Sequence, residues 1–413
     1  MATTKPGKPV PGKLEAYYGL PEQVRFCKSC VMSNQRPSSA VEYEHTIASR
    51  KQTLHFDENG TCDACNLARA KDERVDWAAR DRELRELCDR HRRTDGRYDV
   101  IVPGSGGKDS MLASHLLKQQ YGMHPLTVTW APHLYTDVGW RNFQSWTQGG
   151  FDNVKFTPNG KVHRLLTKLA VENLLHPFQP FIIGQKMIGP KFAIQYDVPL
   201  VFYGENEAEY GNPIADSETA LRSSAFWSRA SGDLSTVYLG GVSGKEIIET
   251  YGVDRADLGP YLPPTPEQVA RWGGEVRYLG YYVKWTPQWA YYAAVENFGF
   301  EANPERTEGT YSKYNSLDDR IDGFHYYTTW IKFGLGRASY DASQEIRNHH
   351  ITREEGIALV RRFDGEYPKR YAAEIMKYLD MTEERFLELC ERFRSPHLWE
   401  RTTDGWRLRH KVS

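Results

Sequence analysis

Between Tyr98 and Ser110 the chain reads Tyr-Asp-Val-Ile-Val-Pro-Gly-Ser-Gly-Gly-Lys-Asp-Ser, and this is its densest grouping of chemically useful residues. A short β-branched run precedes three glycines, and a segment of helical period follows them. That order presents unpaired backbone N–H groups and a helix N-terminus to an anion. Gly104, Gly106 and Gly107 allow close approach of the backbone, and Ser105 and Ser110 offer hydroxyl donors. Lys108 adds a cation, and Asp109 adds an oxygen ligand suited to Mg²⁺. The phosphate loop of the common nucleotide-binding proteins is excluded. It needs Gly-x-x-x-x-Gly-Lys-[Ser/Thr], whereas Val102 stands at the first glycine and Asp109 follows the lysine.

The cysteines form a second pattern. Cys27-Lys-Ser-Cys30 and Cys62-Asp-Ala-Cys65 are paired C-x₂-C units, each supplying two thiolates from a tight turn. This spacing suits a structural zinc site with all four positions filled by protein, and a redox or sulfur-handling pair is the alternative. Cys88 falls on the apolar stripe of a helix over 76–93, and Cys390 on that of another capped by Thr382. Both are expected in the core.

The elements that must position these groups follow from periodicity. Strands are expected at 98–102, 125–130, 153–157 and 198–203, separated by helices at 108–120, 138–147, 162–175 and 184–196. Such alternation predicts a parallel sheet with right-handed crossovers, whose ligands bind at the carboxyl ends of the strands. Thr129 and Trp130, at the end of the second strand, are therefore candidates for adenine or ribose contacts through backbone groups. The fourth strand runs into Gly204-Glu-Asn-Glu-Ala-Glu-Tyr-Gly211, where Glu205, Asn206 and Glu207 can hold Mg²⁺ or substrate hydroxyls; a solvated acidic loop is the alternative. Lys186 and Lys191 precede that strand and can neutralise phosphate.

The chain divides into a tail and cysteine module (1–75), a nucleotide domain (76–240) and a mainly helical region (241–413). A strand is expected over 278–287, then helices, including one opened by the Thr352-Arg-Glu-Glu355 capping box. The segment 308–337 mixes hydroxyls, carboxylates and aromatics, with Asp318, His325, Lys332 and Arg337 as candidate substrate contacts and a polar domain interface as the alternative. With 53 Lys and Arg against 54 Asp and Glu, the net charge of −1 gives no global field for nucleic acid. No apolar run reaches membrane-spanning length, and residues 1–13 lack the apolar core of a signal peptide, so a cytoplasmic protein is expected.

Ser105-Gly-Gly-Lys-Asp-Ser110 resembles the pyrophosphate loop of the N-type ATP pyrophosphatases, which transfer AMP to a carbonyl or carboxyl oxygen. With Cys-x-x-Cys-Val-Met, Phe-Asp-Glu-Asn-Gly-x-Cys-x-x-Cys, Glu-Gly-Thr-Tyr-Ser-Lys-Tyr and Leu-Asp-Asp-Arg-Ile-Asp-Gly-Phe-His-Tyr-Tyr also present, the chain resembles the N-acetyl sugar amidotransferases of bacterial surface-sugar pathways. The resemblance covers roughly residues 26–378. It departs from the expected pattern at Asn348-His349-His350, where a central glycine is expected.

The resemblance implies an adenine nucleotide alpha hydrolase-like (Rossmann-like) α/β fold with an N-terminal zinc module. It also implies ATP, Mg²⁺ and structural Zn²⁺, and conversion of a sugar N-acetyl group to an acetamidino group through an O-adenylyl imidate. Asp109 and Lys186 would then be catalytic, and Ser105 to Ser110 would hold ATP. No glutaminase nucleophile is evident: the chain opens Met1-Ala-Thr, and neither Cys88 nor Cys390 lies on a Gly-x-Cys-x-Gly elbow. Ammonia is therefore expected from a separate glutaminase, similar to the glutaminase and cyclase pair of histidine biosynthesis. A tRNA thiolase is the rival reading.

Overall fold

The computed structural model describes residues 14–45, 49–212, 219–224, 227–228 and 233–413. The tail expected at 1–13 lies outside the described residues. The cysteine module leads into α1 (Asp63–Glu73) and α2 (Trp77–His91). Asp76 caps α2 by accepting from the Ala79 amide, and Leu84, Leu87 and Cys88 make its buried stripe.

Next come β1 (Val100–Pro103), α3 (Lys108–His115), which closes in a π-helical turn over Leu116–Gln120, and β2 (Pro125–Trp130). They are followed by α4 (Asp137–Gln148), β3 (Asp152–Phe156), α5 (Gly160–Leu174), α6 (Gln179–Gln195) and β4 (Leu200–Tyr203). Every residue of β1 and β2 is buried, as both faces of the sheet are covered. The four strands and their helices match the sequence-based expectations to within a few residues, except that α6 starts at Gln179, five residues before the expected start at 184.

A hairpin, β5 (Tyr238–Leu239) and β6 (Val242–Ser243), precedes α7 (Gly244–Tyr251), α8 (Arg255–Leu258) and α9 (Pro266–Trp272). Then β7 (Glu275–Tyr278) returns to the sheet and completes the parallel order β3-β2-β1-β4-β7. This corrects the strand expected over 278–287. The hydrogen-bonded segment ends at Tyr278, where the Gly280 amide donates to the Gly204 carbonyl and the chain coils. Leu279, Tyr282 and Trp285 then pack on the α2 and α3 side of the sheet without strand alternation. The sheet thus draws its edge strand from beyond residue 240.

The remainder is mainly helical: α10 (Pro287–Phe298), α11 (Asp322–Phe333), α12 (Arg337–Arg347), α13 (Arg353–Phe363), α14 (Ala372–Leu379) and α15 (Glu383–Phe393), closed by the β8 (Trp399–Thr402) and β9 (Gly405–Leu408) hairpin. It packs on the cysteine module. The Tyr17 amide donates to Ser395 Oγ (2.9 Å), Tyr18 Oη donates to the Phe393 carbonyl (2.8 Å), and Gln35 Oε1 lies 3.0 Å from His397 Nε2. Among the described residues no helix is long and apolar enough to cross a membrane.

Candidate active site

Strand order reverses between β1 and β4, and the glycine-rich loop leaves β1 at that point. The Gly104 amide donates to the Val128 carbonyl (2.9 Å), tying the loop to β2. A Cβ on Gly104 would fall 2.2 Å from that of Ser110. Gly106 has φ +86°, and a Cβ there would lie 2.6 Å from Phe143 Cα, so this position excludes any side chain. Gly107 is the N-cap of α3, and no side chain caps the helix. The first-turn amides of α3 therefore offer an anion site backed by the helix dipole.

Side chains complete the loop. Ser105 Oγ donates to Asp318 Oδ2, joining the loop to the C-terminal region. Ser110 Oγ donates to the Gly107 carbonyl (2.9 Å), so its hydroxyl proton shapes the turn rather than reaching for a ligand. Lys108 Nζ lies 2.6 Å from Asp109 Oδ2, and Asp109 Oδ1 accepts from Trp285 Nε1 (3.0 Å). Glu205 faces them and accepts from Tyr210 Oη (2.8 Å). Burial, and then the Asp109 charge, raise its carboxyl above the usual range. Opposed carboxylates of this kind gain from a cation between them.

Two cavities, of about 550 and 380 Å³, meet at the loop and share Ser105, Gly107, Asp109, Gln185, Glu205 and Asp318. The larger also reaches Lys186, His325 and Lys332, and the smaller reaches Lys108, Asp319, Asp322 and Arg337.

Other expected site residues sit differently. Thr129 is fully buried, its Oγ1 accepting from Asn153 Nδ2 (3.1 Å), and it lines neither cavity. Asn206 caps the 3₁₀ turn Glu207–Tyr210 by accepting from the Ala208 amide (3.0 Å), a structural use. The side chain of Glu207 lies outside the described residues. Lys186 Nζ reaches the larger cavity and donates to the Ser39 carbonyl (2.7 Å). Lys191 turns away to the Gly259 and Pro260 carbonyls, both at 2.8 Å. Lys332 is already paired with Glu42 (2.9 Å) and so fastens α11 to the cysteine module, whereas Arg337 pairs along its own helix with Asp341 (3.0 Å) and donates to Tyr326 Oη of α11.

Periodicity gave no sign of a histidine and aromatic cluster beside the loop. His133 lies 4.6 Å from His163 between ring centroids, and His325 stacks on His176 at 5.1 Å. Phe178 contacts both His133 and His325. Loss of solvation holds His163 and His325 well below the usual histidine range and His176 down to about 3, so these three rings are neutral. His133 Nδ1 is 2.8 Å from Asp319 Oδ2, whose partner oxygen accepts from the Leu134 amide. The one available signal was position, because His133 follows directly on β2 at the crevice.

Asp318 titrates unusually. Burial pushes its carboxyl up to about 6 against the pull of the Ser105 hydroxyl. A carboxyl whose folded pKa exceeds its unfolded value of about 3.9 costs stability as pH rises between the two. Its opening to cavity water limits that cost to about 1–3 kcal/mol at neutral pH. Asp318→Asn keeps an acceptor for Ser105 and removes the charge. It is expected to raise Tm by a few degrees at pH 7.5 but not at pH 4, while lowering activity. An equal change at both pH values in a melting series would show that Asp318 does not titrate.

Away from the loop, Cys27, Cys30, Cys62 and Cys65 are buried with their sulfurs all within 4.8 Å of one another. Cys27–Cys65 and Cys30–Cys62 Sγ pairs are 3.9 and 3.8 Å apart, close to the edge of about 3.8 Å in a tetrahedron of 2.3 Å metal–sulfur bonds. Amides of Ser29, Cys30 and Cys62 donate to Cys27 Sγ. Arg353 donates to the Cys27 and Cys30 carbonyls, and Arg347 approaches Cys30 Sγ. The cluster can hold a structural metal in a supported shell.

A parallel sheet of this order, with an anion-cradling glycine loop after its first strand, is an α/β architecture suited to a phosphate-bearing ligand. Residues 308–413 match the family model described as LPS biosynthesis protein WbpG-like, C-terminal domain. That match covers about the last quarter of the chain, and over it the helical region is similar to that domain. No curated protein matches the chain. Among solved structures, the U34-tRNA thiolase NcsA from Methanococcus maripaludis with its [4Fe-4S] cluster is 11% identical, over 75% of this chain and 87% of that one. The TM-score of that pair is 0.25.

Proposed function

We propose that this protein is an ATP-dependent, AMP-forming amidotransferase that converts the N-acetyl group of a sugar to an acetamidino group in surface-polysaccharide biosynthesis. The observation that carries this reading is the uncapped helix N-terminus at a glycine loop, faced by carboxylates, where two cavities meet. One cavity takes adenosine and the other the sugar, so the acetamido oxygen meets the α-phosphate beside the loop. That oxygen forms a bond to the α-phosphorus as the bond to pyrophosphate breaks, giving the O-adenylyl imidate.

The amides of α3 and Lys108 absorb the charge gathering on pyrophosphate. Asp109 and Glu205 would hold Mg²⁺, which supplies further neutralisation of the phosphates. Asp318, made more basic by its enclosure, accepts the N–H proton of the activated amide. Ammonia then adds to the imidate carbon and AMP leaves with the electron pair of the C–O bond. We assign the ammonia supply to a separate glutaminase of the kind paired with a cyclase in histidine biosynthesis, and zinc to the cysteine cluster. The need for ATP places the reaction in the cytoplasm.

The purified chain, given ATP, Mg²⁺, ammonium and an N-acetylated nucleotide sugar or nonulosonic acid, is expected to release AMP. Its sugar product is expected to be lighter by the difference between O and NH in mass spectrometry. Glutamine alone is expected to support no reaction until the partner is added. A heavier tRNA in place of the lighter sugar would identify a thiolase and overturn this assignment.

A further inference from the structure

Ser33, Asn34, Gln35 and Arg36 form a run of buried polar residues in the cysteine module. Asn34 and Gln35 are well satisfied. Asn34 accepts from the Arg25 amide and donates to the Gln23 carbonyl, both at 2.9 Å. Gln35 donates to the Pro21 carbonyl (2.9 Å) and meets His397 (3.0 Å). Arg36 is different. It is only 4% exposed, yet its Nε and one terminal nitrogen make no hydrogen bond. A guanidinium left in that state is costly unless an anion completes it.

Its surroundings point the same way. Arg36 lines the larger cavity, which also touches Ser105, Gly107 and Asp318 of the loop. Lys51, Lys186, Arg222 and Lys332 line that cavity too. Two of these cations, Lys51 and Lys332, are held by Glu42, and Lys186 is held by the Ser39 carbonyl. Arg222 donates to the Lys186 carbonyl and stacks on Tyr203. Arg394 offers a contrast: it too has two nitrogens without hydrogen bonds, but it is enclosed by Trp330, Trp399 and Trp406 and lines neither cavity. Arg36 has one aromatic neighbour, Tyr340 at 5.4 Å, and an open space beside it.

We infer that Arg36 binds an anionic group of the acceptor sugar, so that the metal-bearing module reads the substrate's charge while the loop activates its acetamido group. This rests on the amidotransferase reading for the identity of the acceptor. The recognised chemistry is a phosphate or carboxylate presenting two oxygens to the guanidinium fork. Its source is either the diphosphate of a nucleotide sugar or the carboxylate of a sugar acid.

The test is calorimetry on the full, metal-loaded chain with Mg²⁺ and saturating α,β-methylene-ATP. UDP-N-acetylglucosamine, N-acetylneuraminate and neutral N-acetylglucosamine serve as probes. The wild type is expected to bind one of the two charged probes and to prefer it to the neutral one, and which it binds identifies the anion's source. Arg36→Gln is expected to weaken that probe on the order of a hundredfold while changing the affinity for N-acetylglucosamine and for the ATP analogue little. Arg36→Lys keeps charge but not the fork, and a roughly tenfold loss confined to the charged probe is expected; it also serves if the glutamine variant does not fold.

Unchanged affinity for the charged probe in these variants, or equal loss for charged and neutral probes, would overturn the inference and leave Arg36 as a packing partner of Tyr340. So would binding of a charged probe only when the ATP analogue is left out. Turnover of the neutral sugar alone would overturn the anion site but leave the amidotransferase reading standing. Arg36-dependent binding of a charged probe with no amidine formed would do the reverse.

Discussion

Asp109→Asn is expected to lower ATP-dependent AMP formation on the order of a thousandfold, with metal content unchanged and Tm shifted by little. The substitution is chosen for its geometry. Asp109 Oδ1 accepts from the Trp285 indole at 3.0 Å, and an amide oxygen can take that place. The lost charge is the one beside Lys108 Nζ and opposite Glu205, where it would face the metal and the departing pyrophosphate. An alanine there would also strip Trp285 of its acceptor and confuse a catalytic effect with a structural one. Pyrophosphate release at a wild-type rate from Asp109→Asn would remove this carboxylate from the chemistry.

The second large effect is expected at the cysteines. Cys62→Ser should lose the bound metal and much of the soluble protein, with residues 14–65 becoming open to protease. Structural zinc contributes roughly 10–16 kcal/mol to small metal-stapled units, against about 5–15 kcal/mol for the net stability of a whole domain. The module is no isolated appendage, since its buried residues share one core with Ile331, Phe333 and Phe393. Its Arg36, Ser39 and Glu42 also line the cavity at the loop. Metal analysis and limited proteolysis check both consequences. A soluble, protease-resistant, metal-free variant would contradict a structural metal, and an absorbance band of an iron–sulfur cluster in the wild type would contradict zinc.

Local signals made much of this legible. The strand–loop–helix over 98–120 was written in β-branched residues followed by glycines, and each C-x₂-C unit fixes its own turn. The caps at Thr352 and Thr382 were equally local, and both helices begin where those residues stand. What failed to show in the sequence was pairing over long distances. The edge strand β7 is four residues whose partner β4 lies far upstream, and nothing in Glu275–Tyr278 announces that contact. The same holds for the site. Lys332 looked like a free cation, because its partner Glu42 lies 290 residues away and is identified only once the cysteine module packs on α11.

The turn at Asn348-His349-His350 is an instructive case. Its geometry is the glycine geometry the sequence pattern wanted, with His349 at φ +60°, and the backbone adopts it at a cost of about 1 kcal/mol or more without the glycine.

The contacts between Tyr17 and Ser395, and between Tyr18 and Phe393, span a separation of 378 and 375 residues. A folding chain must close loops of that length before Tyr18 and Gln35 can dock, and closure over long separations is slow. The local strand–loop–helix unit therefore forms before the cavity wall that carries Arg36. Docking of the most distant segments is the step that completes the site.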